Sequence, residues 1–209
     1  RQVGVGGQLV TLRGTGGIYT DVFIPLHGEH QTHNALLALA AVEALMTGGG
    51  ALPAGIVEAG FDAVTSPGRL ELVRSSPTVL VDAAHNPHGM AAAVTGVREA
   101  FAFRRLIAVV AVLADKDAEG ILAELEPAVD EVVITRSASS RALRVDELAG
   151  VAEDVFGTDR VHTAELLPDA IDLAVTLAER DDLPAGLAGV LVTGSITVVA
   201  ETRILFRCG

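Results

Sequence analysis

The chain has little cysteine, few basic residues and no long apolar run. Cys208 is its only cysteine, so no internal disulfide can form. The 15 Lys and Arg residues face 27 Asp and Glu residues, and the formal charge of -12 repels a phosphodiester backbone. The longest apolar stretches have only the length of a strand. The composition therefore predicts a soluble, cytoplasmic protein that binds neither nucleic acid nor membranes.

Several nucleotide and hydrolase motifs are missing as well. The glycine-rich segments 4–7 and 14–17 lack the third glycine and the opening helix of a dinucleotide fingerprint. No Gly-Lys-Ser or Gly-Lys-Thr sequence is present for a Walker loop. Ser195 follows an apolar run but lacks the Gly-x-Ser-x-Gly pattern of a nucleophile elbow. The glycines are interpreted as hairpin residues, and a serine hydrolase is not supported.

Short apolar runs alternate with amphipathic segments of helical length after residue 70. The predicted strands cover 78–81, 106–113, 131–135, 160–163 and 189–193. The predicted helices cover 89–103, 118–125, 145–156 and 168–180. This alternation predicts right-handed crossovers and an α/β fold with a Rossmann-like, doubly wound, mostly parallel sheet.

The first third of the chain has a different pattern. Segments 8–13 and 18–24 predict a β-hairpin, and a helix is predicted over 31–47. The Pro67-Gly68 pair interrupts the pattern after a second, short helix, so we place a boundary between residues 65 and 66. Two strands and two helices form a poor core alone, so we expect residues 1–65 to be the tail of a larger domain.

Polar residues follow four of the predicted strands, in segments 82–88, 114–117, 136–141 and 193–195. The carboxyl ends of parallel strands meet at one edge of a sheet, where ligands bind in open α/β folds. We therefore expect Asp82, Lys116 and Ser195 to approach one cleft that faces the predicted helix over 31–47. Loops are commonly polar on any protein surface, so an ordinary solvated edge remains an alternative.

Lys116 is the only lysine, and it lies between Asp115 and Asp117. A compact ammonium charge in a strand-end loop suits an anionic ligand, because the chain otherwise uses arginine for positive charge. An ordinary surface lysine paired with its two neighbours is the alternative, and the sequence leaves both open.

Three histidines, His27, His30 and His33, have a spacing that can bring metal ligands together on one helical turn. Pro25 and Gly28, however, indicate that His27 lies before the helix. We therefore predict no metal site in this chain, and we interpret the histidines as polar residues at a helix entry.

Six motifs occur in a fixed order along the whole chain. They are Leu-His-Gly-Glu-His-Gln-Thr-His-Asn-Ala at 26–35, Ser-Pro-Gly-Arg-Leu-Glu at 66–71, Asp-Ala-Ala-His-Asn-Pro at 82–87, Asp-Lys-Asp at 115–117, Ser-Arg-Ala-Leu at 140–143 and Val-Thr-Gly-Ser at 192–195. Their order and spacing resemble folylpolyglutamate synthase/dihydrofolate synthase, a branch of the Mur ligase superfamily. The Pro-Gly-Arg-Leu-Glu and Asp-x-Ala-His-Asn-Pro motifs together are specific to this folate branch.

The resemblance implies a domain organisation. Such enzymes join a P-loop ATPase domain to a C-terminal Rossmann-like domain and bind ATP between the two. Residues 1–65 would then be the C-terminal remnant of the ATP-binding domain, and 66–209 the Mur ligase C-terminal, or glutamate ligase, domain. The phosphate loop and the magnesium ligands would precede Arg1, so we expect this chain to be inactive alone. We also expect the complete enzyme to be a monomer.

The resemblance also implies roles for individual residues. The implied ATP contacts are Asn34 at the adenine, Arg69 at the phosphates, Asp82 at the ribose hydroxyls and His85 at the nucleotide end of the cleft. Lys116 and Ser195 would lie toward the incoming glutamate and the acyl phosphate. Arg69, His85 and Lys116 would be the catalytic residues.

The implied reaction is ATP-dependent amide formation with Mg²⁺ as cofactor. A carboxylate of dihydropteroate or folate attacks the γ-phosphate of ATP, and the amine of L-glutamate then displaces phosphate from the acyl phosphate. Thr197 and Ala200 depart from the family pattern, which commonly has an aromatic residue and a glycine there. The alternatives are another Mur-type ligase, acting on a cell-wall precursor or cyanophycin, and a catalytically inert nucleotide-binding remnant.

Overall fold

A computed structural model describes residues 1–4, 6–180, 183–184 and 186–208 of the chain. The chain forms two compact units, Arg1–Pro67 and Gly68–Gly209. The division follows residue 67, whereas the predicted boundary follows residue 65. The origin of the first unit as part of an ATP-binding domain stays a prediction.

The first unit is a small antiparallel sheet with two helices. Its elements are β1 (Gln2–Gly4), β2 (Gly7–Arg13), β3 (Ile18–Ile24), α1 (Glu29–Thr47) and α2 (Ala54–Asp62), and its strand order is β1-β2-β3. The predicted hairpin of β2 and β3 is confirmed, and the predicted helix begins two residues earlier, at Glu29. The sequence does not predict β1, because its three residues are exposed and show no apolar alternation.

Helix α1 buries one face in this unit. Its buried residues, Gln31, Ala35, Leu39 and Glu43, are spaced by four and therefore share a face. Ala35 and Leu39 belong to the apolar core of the unit. Glu43 is fully buried at the end of this row, where its carboxylate accepts hydrogen bonds from Thr15, in the turn between β2 and β3. A single buried acid thus joins the helix to the hairpin.

The second unit is a six-stranded α/β sheet. Its strands are β4 (Glu71–Ser75), β5 (Thr78–Val81), β6 (Arg105–Val110), β7 (Glu131–Ile134), β8 (Val161–Thr163) and β9 (Ala188–Thr193). Its helices are α3 (Pro87–Ala100), α4 (Ala118–Leu125), α5 (Val145–Phe156), α6 (Leu167–Ala178) and α7 (Ile196–Leu205). The strand order is β4-β5-β9-β6-β7-β8, and among these described strands only β4 is antiparallel. The predicted Rossmann-like, mostly parallel sheet is confirmed.

Two apolar layers cover the two faces of this sheet. Successive residues of β5 alternate between them: Leu80 shares one layer with Met90 of α3, and Val79 shares the other with Ile171 of α6. Helices α3, α4 and α5 cover the first face, and α6 and α7 cover the second. Because both faces are buried, the parallel strands are apolar along their length, which is why the sequence predicts them.

Some boundaries differ from the prediction. Strand β6 ends at Val110 and not at Leu113, because Leu113 leaves the sheet and pairs with Ala142 in the loop after β7. Helix α3 ends at Ala100, before the residues predicted to complete it. Strand β4 is not predicted, since it is a largely exposed strand at the sheet edge. These differences all lie at element ends or at the margin of the sheet.

The longest helix in the described ranges, α1, has 19 residues. Neither it nor any other helix among the described residues combines the length and the apolar character needed to cross a membrane.

Candidate functional site

Four loops lie along one edge of the six-stranded sheet, because β5, β9, β6 and β7 are adjacent and parallel. These loops carry Asp82 and His85 after β5, Ser195 after β9 and Lys116 after β6. Asp82, Lys116 and Ser195 therefore lie in loops at one sheet edge, and their approach to one cleft stays a prediction. The role of each residue toward a ligand stays a prediction.

Asp82 is a buried carboxylate that binds backbone groups with both of its oxygens. Its Oδ1 accepts the N–H of Ala84 at 2.8 Å, and its Oδ2 accepts the N–H of Leu70 at 3.0 Å. Burial raises the pKa of Asp82, and these two hydrogen bonds and the positive charge of Arg69 oppose that rise. Asp82 therefore restrains residues 68–70 at the end of β5.

The restrained segment, residues 68–70, carries Arg69 on the surface. Gly68 has a φ of 72°, and a side chain there would lie 2.8 Å from Val199. The carbonyl oxygen of Gly68 accepts the N–H of Ala83 at 2.9 Å. Arg69 itself is exposed. A guanidinium on a fixed backbone segment suits bidentate binding of a phosphate.

Gly194 brings the loop after β9 close to two neighbouring loops. Its N–H donates to the carbonyl oxygen of Ala84 at 3.1 Å. Its φ is 100°, and a Cβ there would lie 2.7 Å from the carbonyl oxygen of Ala111. Only glycine fits both the conformation and the space. This close packing fixes the backbone that leads into Ser195.

Ser195 is the N-cap residue of α7, where its Oγ accepts the N–H of Val198 at 3.3 Å. Its Oγ also lies 3.1 Å from Thr197 Oγ1, which donates in turn to Ser137 Oγ at 3.0 Å. Only 1% of Ser195 is exposed. Its hydroxyl is thus used within the protein, and its contact with glutamate stays a prediction.

His85 and Asn86 shape the start of α3. The Nδ1 atom of His85 lies 2.9 Å from the carbonyl oxygen of Ala83, which can only accept, so we assign the ring hydrogen to Nδ1. Nε2 is then the ring nitrogen with a lone pair for a ligand. Asn86 Oδ1 accepts the N–H of Gly89 at 2.8 Å and caps α3. The positive end of the α3 dipole is therefore held at this edge.

Lys116 takes part in a charged cluster between two loops. Its Nζ lies 3.4 Å from Asp115 Oδ2, and Arg141 donates to Asp115 Oδ1 at 2.7 Å. Partial desolvation raises the pKa of Asp115, but the bonds from Arg141 and Lys116 outweigh it and lower the pKa. The N–H of Ala114 also donates to the Arg141 carbonyl oxygen at 2.8 Å. The loops after β6 and β7 are thus joined by backbone and by charge.

A cavity of about 460 Å³ adjoins the loop after β7. Its lining residues are Arg136, Ser137, Ala138, Ser139, Ser140, Glu165, Leu166, Leu167, Pro168 and Glu201. Arg136 lies 3.5 Å from Glu165, and Glu201 accepts the N–H of Ala138 at 2.9 Å. The cavity therefore has one cation and two carboxylates in its wall.

Asn34 belongs to the first unit and is exposed on α1, where its side-chain N–H donates to Gln31 Oε1 at 3.1 Å. His27 lies before α1, and His30 and His33 lie on it. Within the described ranges, no three His, Cys, Asp or Glu side chains are grouped so that they could hold a metal ion.

Some polar residues of this edge are not singled out by the sequence. The hydroxyls of Thr135 and Thr193 are buried at the ends of β7 and β9, and among the described residues neither has a hydrogen-bond partner. Ser137 is buried as well, with 4% exposed. Ser137 and Thr193 lie in the polar segments 136–141 and 193–195, but the sequence predicts no role for either hydroxyl.

Comparison with known proteins identifies relatives of the chain. A family model described as Mur ligase, glutamate ligase domain matches residues 68–196. The dihydrofolate synthase/folylpolyglutamate synthase of Mycobacterium tuberculosis is 53% identical over 215 residues, which cover 99% of this chain and 44% of that protein.

Solved structures give the same result. The M. tuberculosis folylpolyglutamate synthase complexed with ADP and AMPPCP matches with a TM-score of 0.94 and 53% identity, covering 99% of this chain and 46% of that one. Escherichia coli FolC in complex with DHPP and ADP matches with a TM-score of 0.73 and 25% identity, covering 91% and 42%. The chain thus spans about half the length of these relatives. By its sequence match and its fold, the chain belongs to the Mur ligase family and contains the glutamate ligase domain of that family.

Proposed function

We propose that this chain is the glutamate ligase part of a folylpolyglutamate synthase/dihydrofolate synthase, an ADP-forming ligase that joins L-glutamate to dihydropteroate or folates. The observation that carries the proposal is the match to the Mur ligase domain over residues 68–196, in which His85 and Lys116 follow parallel strands and Asp82 bonds the backbone beside Arg69. The relative from M. tuberculosis, with 53% identity, supports the folate branch. The Pro-Gly-Arg-Leu-Glu motif at 67–71 supports the same branch.

The proposed roles follow from the chemistry of each group. Arg69 binds ATP phosphate through its guanidinium, and His85 lies beside the nucleotide with Nε2 available. Asn34 matches the edge of the adenine base. Asp82 acts first by holding the segment that carries Arg69, because both of its oxygens bind backbone N–H groups. A ribose contact by Asp82 would have to use its remaining lone pairs.

The reaction builds negative charge that the cations of this edge can stabilise. The substrate carboxylate attacks the γ-phosphorus of ATP, ADP leaves, and an acyl phosphate forms. The amine of L-glutamate then attacks the acyl carbon, phosphate leaves, and the amine loses a proton. Lys116, held by Asp115, supplies a fixed positive charge near the acyl phosphate.

The proposal includes Mg²⁺ as the ion bound to ATP, where it would neutralise phosphate charge. The described residues of this chain do not fit a metal site of their own, so we assign none of them to the ion and no step to it. We further propose that residues 1–65 belong to an ATP-binding domain, that the complete enzyme is a monomer and that it is cytoplasmic.

The proposal is tested in the full-length protein that contains this chain. Replacement of Arg69 by Ala should lower kcat/KM by on the order of 10²-fold, because a charge contact in the transition state is lost. Arg74→Ala is the control, since Arg74 is exposed and bonds only the carbonyl oxygen of Ser76 among the described residues. An unchanged rate for Arg69→Ala at saturating ATP and glutamate would contradict the assignment.

The substrate class is tested with a panel of acceptors. Dihydropteroate and tetrahydrofolate should be extended by L-glutamate, whereas muramyl-nucleotide precursors and cyanophycin should not be. Extension of a muramyl nucleotide alone would favour the cell-wall alternative, and absence of all turnover would favour an inert remnant. The 209-residue chain by itself should show no turnover, because it contains no Walker loop.

A further inference from the structure

The backbone of Gly68 is held by a side chain from three residues further along the chain. The N–H of Gly68 donates to Glu71 Oε2 at 2.6 Å, and Glu71 is the first residue of the edge strand β4. The carbonyl oxygen of Gly68 accepts the N–H of Ala83 at 2.9 Å. Both backbone polar groups of Gly68, the residue before Arg69, are therefore bonded.

Arg203 of α7 holds Glu71 in turn. Its Nε atom lies 3.1 Å from Glu71 Oε1 and 3.0 Å from Oε2, although the two residues are 132 positions apart in the chain. The side chain of Arg203 is 21% exposed and that of Glu71 is 24% exposed, so solvent screens this pair only in part. Val199, four residues before Arg203, packs closely against Gly68. Helix α7 therefore contacts the segment through one apolar and one charged side chain.

The charge of Arg203 determines how Glu71 affects Arg69. Glu71 is two residues after Arg69, and a carboxylate without a partner at that distance along the chain attracts a guanidinium. Asp82, the other carboxylate bonded to this segment, uses both of its oxygens on backbone N–H groups. Among the residues that the structure describes, none forms a hydrogen bond or an ion pair with the exposed Arg69 side chain. Pairing of Glu71 with Arg203 thus leaves the charge of Arg69 available to a ligand.

We propose that Arg203 is a positioning residue for Arg69, because its pairing with Glu71 fixes the acceptor of the Gly68 N–H and keeps Glu71 from pairing with the Arg69 guanidinium. Naming ATP phosphate as the ligand of Arg69 rests on the function proposed above. Arg203 then acts through Glu71 and not by contact with ATP. An ordinary surface ion pair, in contrast, contributes little to stability and nothing to the action of Arg69.

The position of Arg203 in α7 gives it a second effect that a test must separate. Arg203 is the basic residue in the last turn of this helix, where a positive charge interacts favourably with the helix dipole. Its removal therefore affects α7 independently of Glu71. The helix begins at Ser195, at the same sheet edge, so a weakened α7 could disturb the site without any change at Arg69.

Steady-state kinetics of the full-length protein test the proposal. Arg203→Met keeps the length of the side chain but removes its charge and its donors, so Glu71 loses its partner. The KM for ATP should rise by about tenfold, because a guanidinium that is drawn away from its productive position loses part of its phosphate contact. The KM for L-glutamate should not change. Arg203→Lys keeps the charge and should stay near the wild-type KM for ATP.

A second substitution distinguishes positioning from a structural role. Glu71→Gln keeps an acceptor for the N–H of Gly68 but has no charge with which to attract Arg69. In the double variant Glu71→Gln/Arg203→Met, the KM for ATP should therefore return to the value of Glu71→Gln alone. A double variant that is as impaired as Arg203→Met, or more so, would show that pairing of Glu71 with Arg69 is not the cause, and it would overturn the proposal.

Arg98→Met is the matched control for the loss of a cation from the last turn of a helix. Arg98 is the basic residue in the last turn of α3, and among the described residues its side chain bonds only the carbonyl oxygen of Pro127. Its replacement should leave the KM for ATP unchanged. An equal rise of this KM in both methionine variants would reduce Arg203 to a residue that stabilises its helix.

Hydrogen exchange without ligands separates this inference from the proposed function. In the full-length protein, the peptide 66–72 should exchange faster in Arg203→Met than in the wild type, because Glu71 is no longer held, and Arg98→Met should not change it. A wild-type rate in Arg203→Met would show that Arg203 does not hold the segment. If exchange is faster but no folate is extended, the restraint stands and the function fails. If folates are extended but Arg203→Met has a normal KM for ATP, the positioning role fails and the function stands.

Discussion

The Oδ2 atom of Asp82 accepts the backbone N–H of Leu70 at 3.0 Å, and Leu70 has a left-handed backbone with φ of 44°. This conformation costs a branched residue about 1–3 kcal/mol, so it persists only where its surroundings enforce it. The buried carboxylate supplies that constraint from the end of β5. The backbone conformation of residues 68–70, which carry Arg69, is therefore fixed before any ligand binds.

The first prediction concerns this carboxylate. Asp82→Asn places an NH₂ group against one of the two N–H donors, so one buried donor loses its acceptor. The free energy of unfolding should fall by about 1–3 kcal/mol. Urea unfolding measured by circular dichroism at pH 7 gives this value directly.

Asp117→Asn is the control for the change from carboxylate to amide. Asp117 caps α4 through Oδ1, which accepts the N–H of Gly120 at 2.9 Å, and asparagine caps helices equally well. Its replacement should leave the unfolding midpoint nearly unchanged. Similar stabilities for Asp82→Asn and the wild type would show that Asp82 does not restrain residues 68–70.

The second prediction compares two glycines. Gly194→Ala adds a Cβ at a φ of 100° and 2.7 Å from the Ala111 carbonyl oxygen, so the loop before α7 must move. Gly150→Ala adds a Cβ with no heavy atom within 4 Å on the exposed face of α5. Thermal unfolding should show a lower Tm for Gly194→Ala. Gly150→Ala should be more stable than the wild type by about 0.5–1 kcal/mol. A higher Tm for Gly194→Ala would contradict the close packing.

Much of the second unit could be predicted because its parallel strands are buried on both faces. β5 and β9 are apolar along nearly their whole length, and helix α5 has the predicted bounds, Val145–Phe156. β4 could not be predicted, since an exposed edge strand has neither an apolar run nor a clean alternation. The end of β6 was misplaced because apolar residues continue after Val110 into a loop that is held by Ala142.

The candidate site could be predicted only as a set of residue types. The sequence indicates the acid of Asp82, but not that Leu70 and Ala84 occupy both of its oxygens, because those bonds depend on the fold. It likewise indicates Ser195, but not the hydroxyl contacts that link Ser195 through Thr197 to Ser137, which is 58 positions earlier in the chain than Ser195. Contacts between distant loops depend on strand order, which motif spacing does not encode.

The third prediction is that Glu131, at the edge of the sheet opposite to the site, makes the stability of the fold depend on pH. Glu131 binds Arg105, His162 and Arg180. Burial raises the pKa of Glu131, but the bond from His162 and the charges of the three partners outweigh it and lower the pKa. The carboxylate therefore stabilises the fold above its ordinary pKa of 4.5, and this contribution is lost as the pH falls through the lower folded pKa.

Glu131→Gln should lower the urea midpoint at pH 7, and the difference from the wild type should narrow as the pH falls below about 4. Glu124→Gln is the control, because Glu124 is exposed on α4. Its midpoint should follow the wild type across the range. A difference for Glu131→Gln that stays constant from pH 7 to pH 3 would show that the charge of Glu131 does not contribute.

The last prediction concerns the first unit, where Glu43 Oε2 accepts the N–H groups of Thr15 and Gly16 at 2.7 and 3.1 Å. Its Oε1 accepts the hydroxyl of Tyr19 at 2.8 Å. Burial raises the pKa of Glu43, but these hydrogen bonds outweigh it and lower the pKa, so the residue stabilises the unit as a carboxylate.

Glu43→Gln keeps the shape of the side chain but replaces one acceptor oxygen with a donor NH₂ group, so either the turn or Tyr19 loses its acceptor. Hydrogen exchange should become faster at the amides of Thr15 and Gly16, because their opening no longer breaks a bond to a carboxylate. Exchange in β6, in the second unit, should not change. Glu58→Gln on the exposed face of α2 should leave all of these rates unchanged. If the amides of residues 15 and 16 exchange at the wild-type rate in Glu43→Gln, the carboxylate is not what holds the hairpin turn to α1.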